Sequence, residues 1–446
     1  MDAPSNVGTV LAPSADPIDR TYGRIFWRTI PFLMVCYVLA FIDRSNVGFA
    51  KLQFMGDLSF SETIYGIGGG IFYLGYILFE IPSNLYLQKV GVRKTLLRIM
   101  VLWGLCCVGL AFMASSNHYY VLRFLLGAAE AGLFPGILLY ITYWVPASRR
   151  ARFTACFMAS IPLAGMIGGP LSGWLMQSMN GLMGLKGWQW LFIVEGLPAS
   201  LLGIIAYFYL SDRPRDAQWL TPSERAMVQR ELGADEASKP KVQHASFANV
   251  LKDPRIYWVS GMAFAVLVST GGIFFWLPTI IKRSGVQSPL TIGLLSFIPF
   301  VIGVIVQLLV ARHSDQTLER RWHAVIPALT AAVAWALLPP FADNTAGSVV
   351  MLTLVTAGTL GITGPFWTIP SSYLSGGAAA GGIAVVTSIA GLGSIASPIL
   401  VGWLATHTNS FAAGQYYFSS LLIIGSITLL IGVKPPSRLT GKSTAT

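Results

Sequence analysis

The sequence predicts an all-α polytopic membrane protein with twelve transmembrane helices arranged as two six-helix bundles. Of its 446 residues, 54% are hydrophobic and only 11% are charged, whereas soluble domains carry about 25% charged residues. Twelve apolar stretches are each long enough to cross a bilayer, and one long polar stretch divides them into two sets of six. We therefore expect most of this chain to lie in the lipid bilayer and not in water.

Each span is justified by its length, because a membrane helix needs about 20 largely apolar residues. In the first half the apolar stretches cover 27–50, 61–88, 94–115, 118–144, 152–178 and 188–210. In the second half they cover 256–281, 289–312, 322–341, 347–373, 378–405 and 413–433. The predicted organisation is a disordered cytoplasmic tail over 1–23, an N-terminal bundle over 24–210, a cytoplasmic linker over 211–255, a C-terminal bundle over 256–434 and a cytoplasmic tail over 435–446. Within the linker, the pattern over 221–233 predicts a short amphipathic helix.

The distribution of basic residues predicts the orientation. With both termini inside, 24 of the 30 Lys and Arg residues fall in inner segments and two within spans. The other four are assigned to outer loops: Lys51, Lys186, Lys282 and Arg283. Cytoplasmic loops carry such an excess in membrane proteins. We therefore expect a multi-pass protein of the cytoplasmic (inner) membrane, with both termini in the cytoplasm and the lipid bilayer as its surroundings. The net charge of +11 is explained by topology, and no nucleic-acid partner is expected.

Away from the basic and acidic residues near their ends, the apolar stretches are interrupted by six ionisable residues, all in the first half: Asp43, Arg44, Glu80, Arg123, Glu130 and Glu195. Such a side chain within a bilayer costs several kcal/mol and is by default a candidate functional residue. Glu80 is expected to be structural, with a gating role as the alternative, and Glu195 is expected to pair with a loop arginine. Any chemistry that involves charge is therefore expected in the first half of the chain.

Two carboxylates and two arginines in this set indicate a mechanism. Arg123 and Glu130 are seven residues apart and so share one face of a helix. A substrate anion that competes for an arginine would free the neighbouring carboxylate to take a proton, so that anion and proton favour each other's binding. We expect Arg44 and Arg123 to hold a substrate carboxylate, and Asp43 and Glu130 to carry protons. The alternative is that the four residues form a structural charge network.

The two halves carry similar basic loops at equivalent places, over 88–94 and 314–321. At this point the sequence resembles the major facilitator superfamily, whose corresponding loop carries an acidic residue followed by basic ones. The first copy departs from the pattern because Gln88 stands at the acidic position, whereas the second keeps Asp315 and Arg320. The resemblance implies a cytoplasmic ion-pair latch that involves Asp315, Arg320 and Arg93. Simple positive-inside anchoring is the alternative.

Within that superfamily the sequence resembles the anion:cation symporters over most of its length. The matching strings run from Cys36 to Asn46, from Tyr76 to Pro82, from Arg123 to Pro135, from Trp188 to Gly196 and from Phe275 to Pro278. The resemblance implies two pseudo-symmetric bundles, alternating access and proton-coupled import of a small organic anion. It also implies proton coupling at Asp43 and Glu130, and substrate contacts at Arg44, Arg123 and Tyr76. Taken as a whole, the sequence looks most similar to the phthalate and tartrate permeases.

One departure from the family bears on the substrate. Sugar-acid carriers of this family have asparagine near Thr387, and many relatives have a second near Gly391. The missing amides leave Thr387 and Ser388 as the polar contacts, with Trp276 and Trp367 among the aromatic candidates for a substrate wall. The aromatic set is Phe72, Tyr76, Phe275, Trp276, Phe366, Trp367 and Tyr373. Aromatic faces suit a planar ligand, which favours a phthalate-like aromatic carboxylate; tartrate and hexonates are the alternatives.

Other classes of protein find less support in the sequence. No nucleotide-binding motif is present that would indicate an ATP-driven pump, and no Ser/His or metal cluster that would indicate an enzyme. The five histidines are not expected to cluster with cysteines or acids, so neither a metal nor a cofactor is expected. A monomer is expected. A sensor that binds the same ligands without transporting them, a uniporter and an anion exchanger stay open as alternatives.

Overall fold

The computed structural model describes residues 16–238, 253–373 and 376–433, and for 370–373 and 376–381 the backbone alone. Within these ranges the chain forms helices joined by short turns, with no strand. The first half contains α1 (Pro17–Leu58), α2 (Glu62–Val90), α3 (Val92–Leu110), α4 (Ser116–Glu130), α5 (Leu133–Trp144), α6 (Ala147–Met158), α7 (Ser160–Ser178) and α8 (Gly187–Tyr209). Helices α4 and α5 form one span, and α6 and α7 form another.

The second half repeats this plan with six continuous helices. They are α10 (Pro254–Arg283), α11 (Pro289–Thr317), α12 (Arg321–Leu337), α13 (Thr345–Tyr373), α14 (Gly376–Thr408) and α15 (Ala412–Gly432), preceded by the linker helix α9 (Pro222–Ser238). Ten of the crossing segments are long and apolar enough to be identified by composition. Helix α3, which has basic residues in its first two turns, and α12, which has only 17 residues, complete the twelve. The predicted fold of twelve membrane helices is confirmed.

The first span is longer than expected at both ends. Helix α1 begins at Pro17, where the Asp16 side chain accepts a hydrogen bond from the Ile18 backbone, so the predicted tail over 1–23 is too long. The helix also continues to Leu58 and keeps Lys51 inside the bundle. The assignment of Lys51 to an outer loop is wrong. The reason is that one lysine in an apolar helix can be neutralised by a partner from another element, which periodicity cannot reveal.

The predicted linker helix is present and is anchored to the first half. Thr221 and Glu224 form a capping box, in which the Glu224 carboxylate accepts from the Thr221 backbone at 2.8 Å and the Thr221 hydroxyl accepts from the Glu224 backbone at 3.3 Å. Glu224 also forms an ion pair with Arg24 of α1 at 2.6 Å. The indole of Trp219 stacks on Trp144 with centroids 5.6 Å apart. These contacts mark the end of the bundle that carries α9, called the α9 end below.

The two halves pack closely at the opposite end, called the outer end below. Gly66 of α2 lies against the Pro398 carbonyl of α14, and Gly173 of α7 lies against the Pro289 carbonyl of α11. The Tyr65 hydroxyl donates to the Phe275 carbonyl of α10 at 3.0 Å. These close approaches need glycine because a side chain at those positions would meet a main-chain carbonyl. The outer end is therefore sealed by contacts between α2 and α14, α7 and α11, and α1 and α10.

Towards the α9 end the two halves diverge. Gly391 of α14 still approaches Ile77 of α2, but beyond this level Leu78 and Ile81 are exposed on α2 and Ser388 is exposed on α14. We call the space between α2 and α14 beyond Ile77 and Gly391 the inner opening. The structure is thus closed at the outer end and open at the α9 end.

Candidate functional site

Adjacent residues near the middle of α1 point into different environments, since neighbours on a helix are about 100° apart. Arg44 points towards α4, where its Nη2 lies 2.6 Å from Oε1 of Glu130. The Glu130 side chain is fully buried, whereas 15% of the Arg44 side chain is exposed. Tyr76 precedes Ile77 at the deep end of the inner opening, and its ring centroid lies 5.0 Å from the Arg44 guanidinium carbon. Arg44 is therefore the partly accessible member of a buried ion pair.

Aromatic rings surround the Arg44 guanidinium group. The Phe41 centroid lies 5.0 Å from its central carbon and the Phe72 centroid 6.0 Å, in addition to Tyr76. A planar, weakly hydrated guanidinium group stacks well on such faces and still presents its N–H groups edge-on. The rings hold Arg44 in place without consuming its hydrogen-bond donors.

Arg123 of α4 is the cation of this site whose charge has the fewest partners. It is 1% exposed, and no carboxylate in the described part of the chain lies within ion-pair distance of it. Its Nε donates weakly to the Gly68 carbonyl at 3.4 Å, and its guanidinium carbon lies 4.6 Å from the Phe72 ring centroid. Both terminal nitrogens lack a hydrogen-bond partner. Leaving a buried charge unpaired is costly, so these N–H groups are well suited to bind an anion.

Asp43 points away from the Phe72 ring, which lies beside both Arg44 and Arg123, and towards α3. Its carboxylate accepts hydrogen bonds from the Trp103 indole at 2.8 Å, the Cys107 thiol at 2.7 Å and the Asn46 amide at 3.0 Å. Glu195 of α8 lies on the other side of Asn46 and accepts from the Ser172 hydroxyl at 3.2 Å. The expected pairing of Glu195 with a loop arginine is wrong, because α8 turns this carboxyl inward against α1 and α7.

Lys51 lies two helical turns from Arg44, towards the outer end, and forms a second charged cluster. Its Nζ lies 2.5 Å from the Glu62 carboxylate and 3.9 Å from the Trp276 ring centroid. Seven residues along a helix correspond to about 10 Å, so Trp276 belongs to the Lys51 cluster and is separated from Arg44. Sequence reasoning missed Lys51. The available signals were its seven-residue spacing from Arg44 and the acidic residue at the start of α2.

The other predicted substrate contacts lie on the second half. Trp367 is exposed and stacks edge-on with Phe366 at 5.2 Å. Thr387 and Ser388 are exposed one turn from Gly391, on the side of α14 that approaches α2. The Thr387 hydroxyl donates to its own helix backbone at 3.0 Å. Thr387 and Ser388 therefore border the inner opening, whereas the side chain of Tyr373 lies outside the described residues.

The predicted gating residues make contacts within their own halves. Asp315 and Arg320 form an ion pair at 2.5 Å beside Ser314. Arg93 donates from its backbone to Asp212 at 3.0 Å and from Nε to the Tyr207 carbonyl at 2.7 Å. In the described ranges, no ion pair joins the halves at the α9 end, in keeping with the inner opening there.

One expectation about the histidines is corrected. His313 and His323 lie 2.6 Å apart between ring nitrogens, and His323 also contacts the Glu319 carboxylate at 2.8 Å. The turn between α11 and α12 brings together side chains that are ten residues apart in the sequence. These groups were not expected to cluster.

Two six-helix bundles that bury charged side chains and meet at one end are the architecture of a membrane transport protein. The Major Facilitator Superfamily profile matches residues 33–383, and the chain belongs to this superfamily. It is 44% identical over 418 residues to the "Putative tartrate transporter" of Agrobacterium vitis, covering 94% of this chain and 96% of the relative. It is 41% identical over 426 residues to the "Putative metabolite transport protein NicT" of Pseudomonas putida, covering 96% and 97%.

A solved structure shares the fold. The inward-open conformation of the xylose transporter XylE from E. coli superimposes with a TM-score of 0.73 at 13% sequence identity, covering 93% of this chain and 98% of that structure.

Proposed function

We propose that the protein imports a small carboxylate together with protons across the cytoplasmic membrane by alternating access. The observation that carries this proposal is the Arg44–Glu130 ion pair, held at 2.6 Å beside Arg123. Arg123 is buried and has two terminal nitrogens without a hydrogen-bond partner. A site with one unpaired and one paired arginine can exchange an internal carboxylate for a substrate carboxylate.

Coupling follows from this exchange. A substrate carboxylate that binds Arg123 also draws on the N–H groups of Arg44, because planar guanidinium groups bind carboxylates through two nitrogens. Glu130 then loses its counter-charge while it stays buried, and an unpaired buried carboxylate is costly. Protonation of Glu130 removes that cost. Each ligand thus promotes binding of the other, as reciprocal linkage requires.

Two chemistries are candidates for the substrate. Tartrate is favoured by the Agrobacterium vitis relative, which is 44% identical over nearly its whole length. A phthalate-like aromatic carboxylate is favoured by the rings of Phe41, Phe72 and Tyr76 around Arg44. Both are dicarboxylates, so one carboxylate could bind each arginine. The Lys51 cluster holds Trp276, which removes one ring from the predicted aromatic wall and weakens the aromatic candidate.

The orientation is also part of the proposal. With the basic inner loops in the cytoplasm, the α9 end and the inner opening face the cytoplasm, and the conformation is inward-open. The predicted gating pair, Asp315 with Arg320, and Arg93 would then exchange their local partners for contacts across the halves when the inner opening closes. We propose that the protein works as a monomer, since one chain contains both halves and the whole site.

The test is uptake into proteoliposomes of labelled tartrate and labelled phthalate, with and without an inwardly directed proton gradient. Gradient-driven uptake of one of the two is expected, and it should be lost in Glu130→Gln. Glu80→Gln is the matched control, because Glu80 is a half-buried carboxyl on α2 and has no ion-pair partner among the described residues. Uptake that does not depend on the proton gradient would contradict symport and favour uniport or exchange. Binding of ligand without any uptake would favour the sensor.

A further inference from the structure

Glu195 is a buried carboxyl that the proposed exchange at Arg44 and Glu130 does not use. It lies on α8 and is 4% exposed. One oxygen accepts a hydrogen bond from the Ser172 hydroxyl at 3.2 Å, and the other has no hydrogen-bond partner. No cation in the described ranges forms an ion pair with it. This environment contrasts with that of Glu130, which faces an arginine.

Within the described ranges, the titratable neighbours of Glu195 are acids. Helix α8 packs against α1, α3 and α7. The titratable groups that face Glu195 are Asp43 from α1 and the Cys107 thiol from α3, while α7 contributes the neutral Ser172 hydroxyl. An ionised carboxylate buried without a counter-charge is strongly disfavoured. Glu195 is therefore expected to carry a proton for as long as it stays buried in this way.

Asn46 joins Glu195 to Asp43. Its amide donates to Asp43 at 3.0 Å and lies beside Glu195. The Cys107 thiol donates to Asp43 at 2.7 Å and lies 3.4 Å from the Phe192 carbonyl, one turn before Glu195 on α8. Two carboxyls that share one polar pocket resist simultaneous ionisation. Asp43 has three donors and Glu195 has one, so the shared proton resides on Glu195.

We propose that Glu195, paired with Asp43 through Asn46, is a second proton-carrying group, so that two protons accompany each substrate anion. This inference rests on the proposed proton symport and adds a group to it. One proton binds Glu130 when the substrate takes its arginine. The other binds a Glu195 carboxylate oxygen when the pair is exposed to the outer side, and leaves that oxygen for water on the inner side. Two protons would neutralise a substrate dianion.

The decisive measurement is the steady-state accumulation ratio in proteoliposomes with the membrane potential clamped at zero. A gradient of one pH unit supplies about a tenfold driving force per coupled proton. The expected ratio is about 100-fold for the unaltered protein and about 10-fold for Glu195→Gln. Ser172→Ala is the control, because it removes the hydroxyl contact and keeps the carboxyl; its expected ratio is about 100-fold.

The outcomes separate the two proposals. A ratio near 10-fold in the unaltered protein would overturn the second proton site and leave single-proton symport intact. An unchanged ratio in Glu195→Gln would also overturn it, because glutamine reproduces a permanently neutral structural carboxyl. No response to pH at all would instead refute the proposed symport. If Glu195→Gln does not fold, Glu195→Asp, which retains a carboxyl, must keep a ratio near 100-fold at a reduced rate, and a lower ratio would count against the proposal.

Discussion

Replacing Lys51 by Met is expected to destabilise the closed outer end. The Lys51 side chain is 3% exposed and forms an ion pair with Glu62 at 2.5 Å. Its ammonium group also lies 3.9 Å from the Trp276 centroid and 5.3 Å from the Phe411 centroid, both on the second half. Methionine keeps much of the side-chain volume but removes the charge. The substitution therefore removes two cation–π contacts that exist only while the two halves are in contact, whereas the ion pair with Glu62 lies within the first half.

The size of the effect follows from these contacts. The Lys51–Glu62 ion pair joins α1 to α2 of the same half, so its loss weakens the open and closed states alike, and Glu62 retains Arg283 at 3.8 Å. The two cation–π contacts contribute about 0.5–2 kcal/mol each. A net loss of about 2 kcal/mol from the closed outer end shifts the population about 30-fold towards outer opening.

The assay is a spin-label distance between the halves at the outer end. Met183, between α7 and α8, and Asp343, between α12 and α13, are both exposed there and can be replaced by labelled cysteines in a background free of the four native cysteines. The Lys51→Met variant is expected to populate a longer distance. Lys186→Met is the matched control, because its ion pair with Asp57 at 2.5 Å is largely exposed and such pairs contribute about 0–1 kcal/mol.

An unchanged distance distribution in Lys51→Met would refute the assignment of this cluster as an outer latch. A second variant sharpens the test, since Lys51→Met combined with Glu62→Gln removes the charge left behind. Because Glu62 also contacts Arg283 of the second half at 3.8 Å, the double variant is expected to lengthen the distance at least as much as Lys51→Met does.

Three further results are expected. Arg123→Lys keeps the charge but loses the planar pair of N–H groups, so the apparent KM for the carboxylate should rise about 10- to 100-fold; an unchanged KM in uptake assays would remove Arg123 from the substrate site. Gly66→Ala places a methyl group against the α14 backbone and should slow transport and lengthen the outer-end distance. Gly56→Ala, which meets nothing within 4 Å, should do neither, and equal behaviour of the two variants would contradict the close-approach argument. Asp253 caps α10 and accepts from Arg255; Asp253→Asn keeps the cap but loses this partly exposed ion pair, so it should destabilise the protein by less than about 1 kcal/mol. The side-chain hydrogen bond from Arg255 lowers the pKa of Asp253, so this contribution is complete above the ordinary carboxyl pKa and is lost as pH falls through the folded-state value. Thermal unfolding in detergent at pH 7 and at pH 3 should show the variant's deficit shrinking at the lower pH, and a constant deficit would refute the assignment.

The sequence by itself determined the fold class, the twelve spans and their division into two sets of six. Apolar length and the breaks between apolar stretches are local properties, and the bilayer thickness converts them directly into membrane helices. The concentration of intramembrane charge in the first half was readable for the same reason, because each charge stands out against an apolar background. The capped linker helix also followed a local signal, since Thr221 and Glu224 are three residues apart.

Only the tertiary structure decided which charges meet. Helical periodicity assigns a residue to a face, but it does not say which of several helices that face contacts. Arg44 is therefore paired with Glu130 on α4, while its neighbour Asp43 turns towards α3 and α8. Lys51 is buried because Trp276 and Glu62 arrive from helices that are distant in the sequence. Closure at the outer end depends on contacts between the two halves, and no property of either half taken alone specifies it.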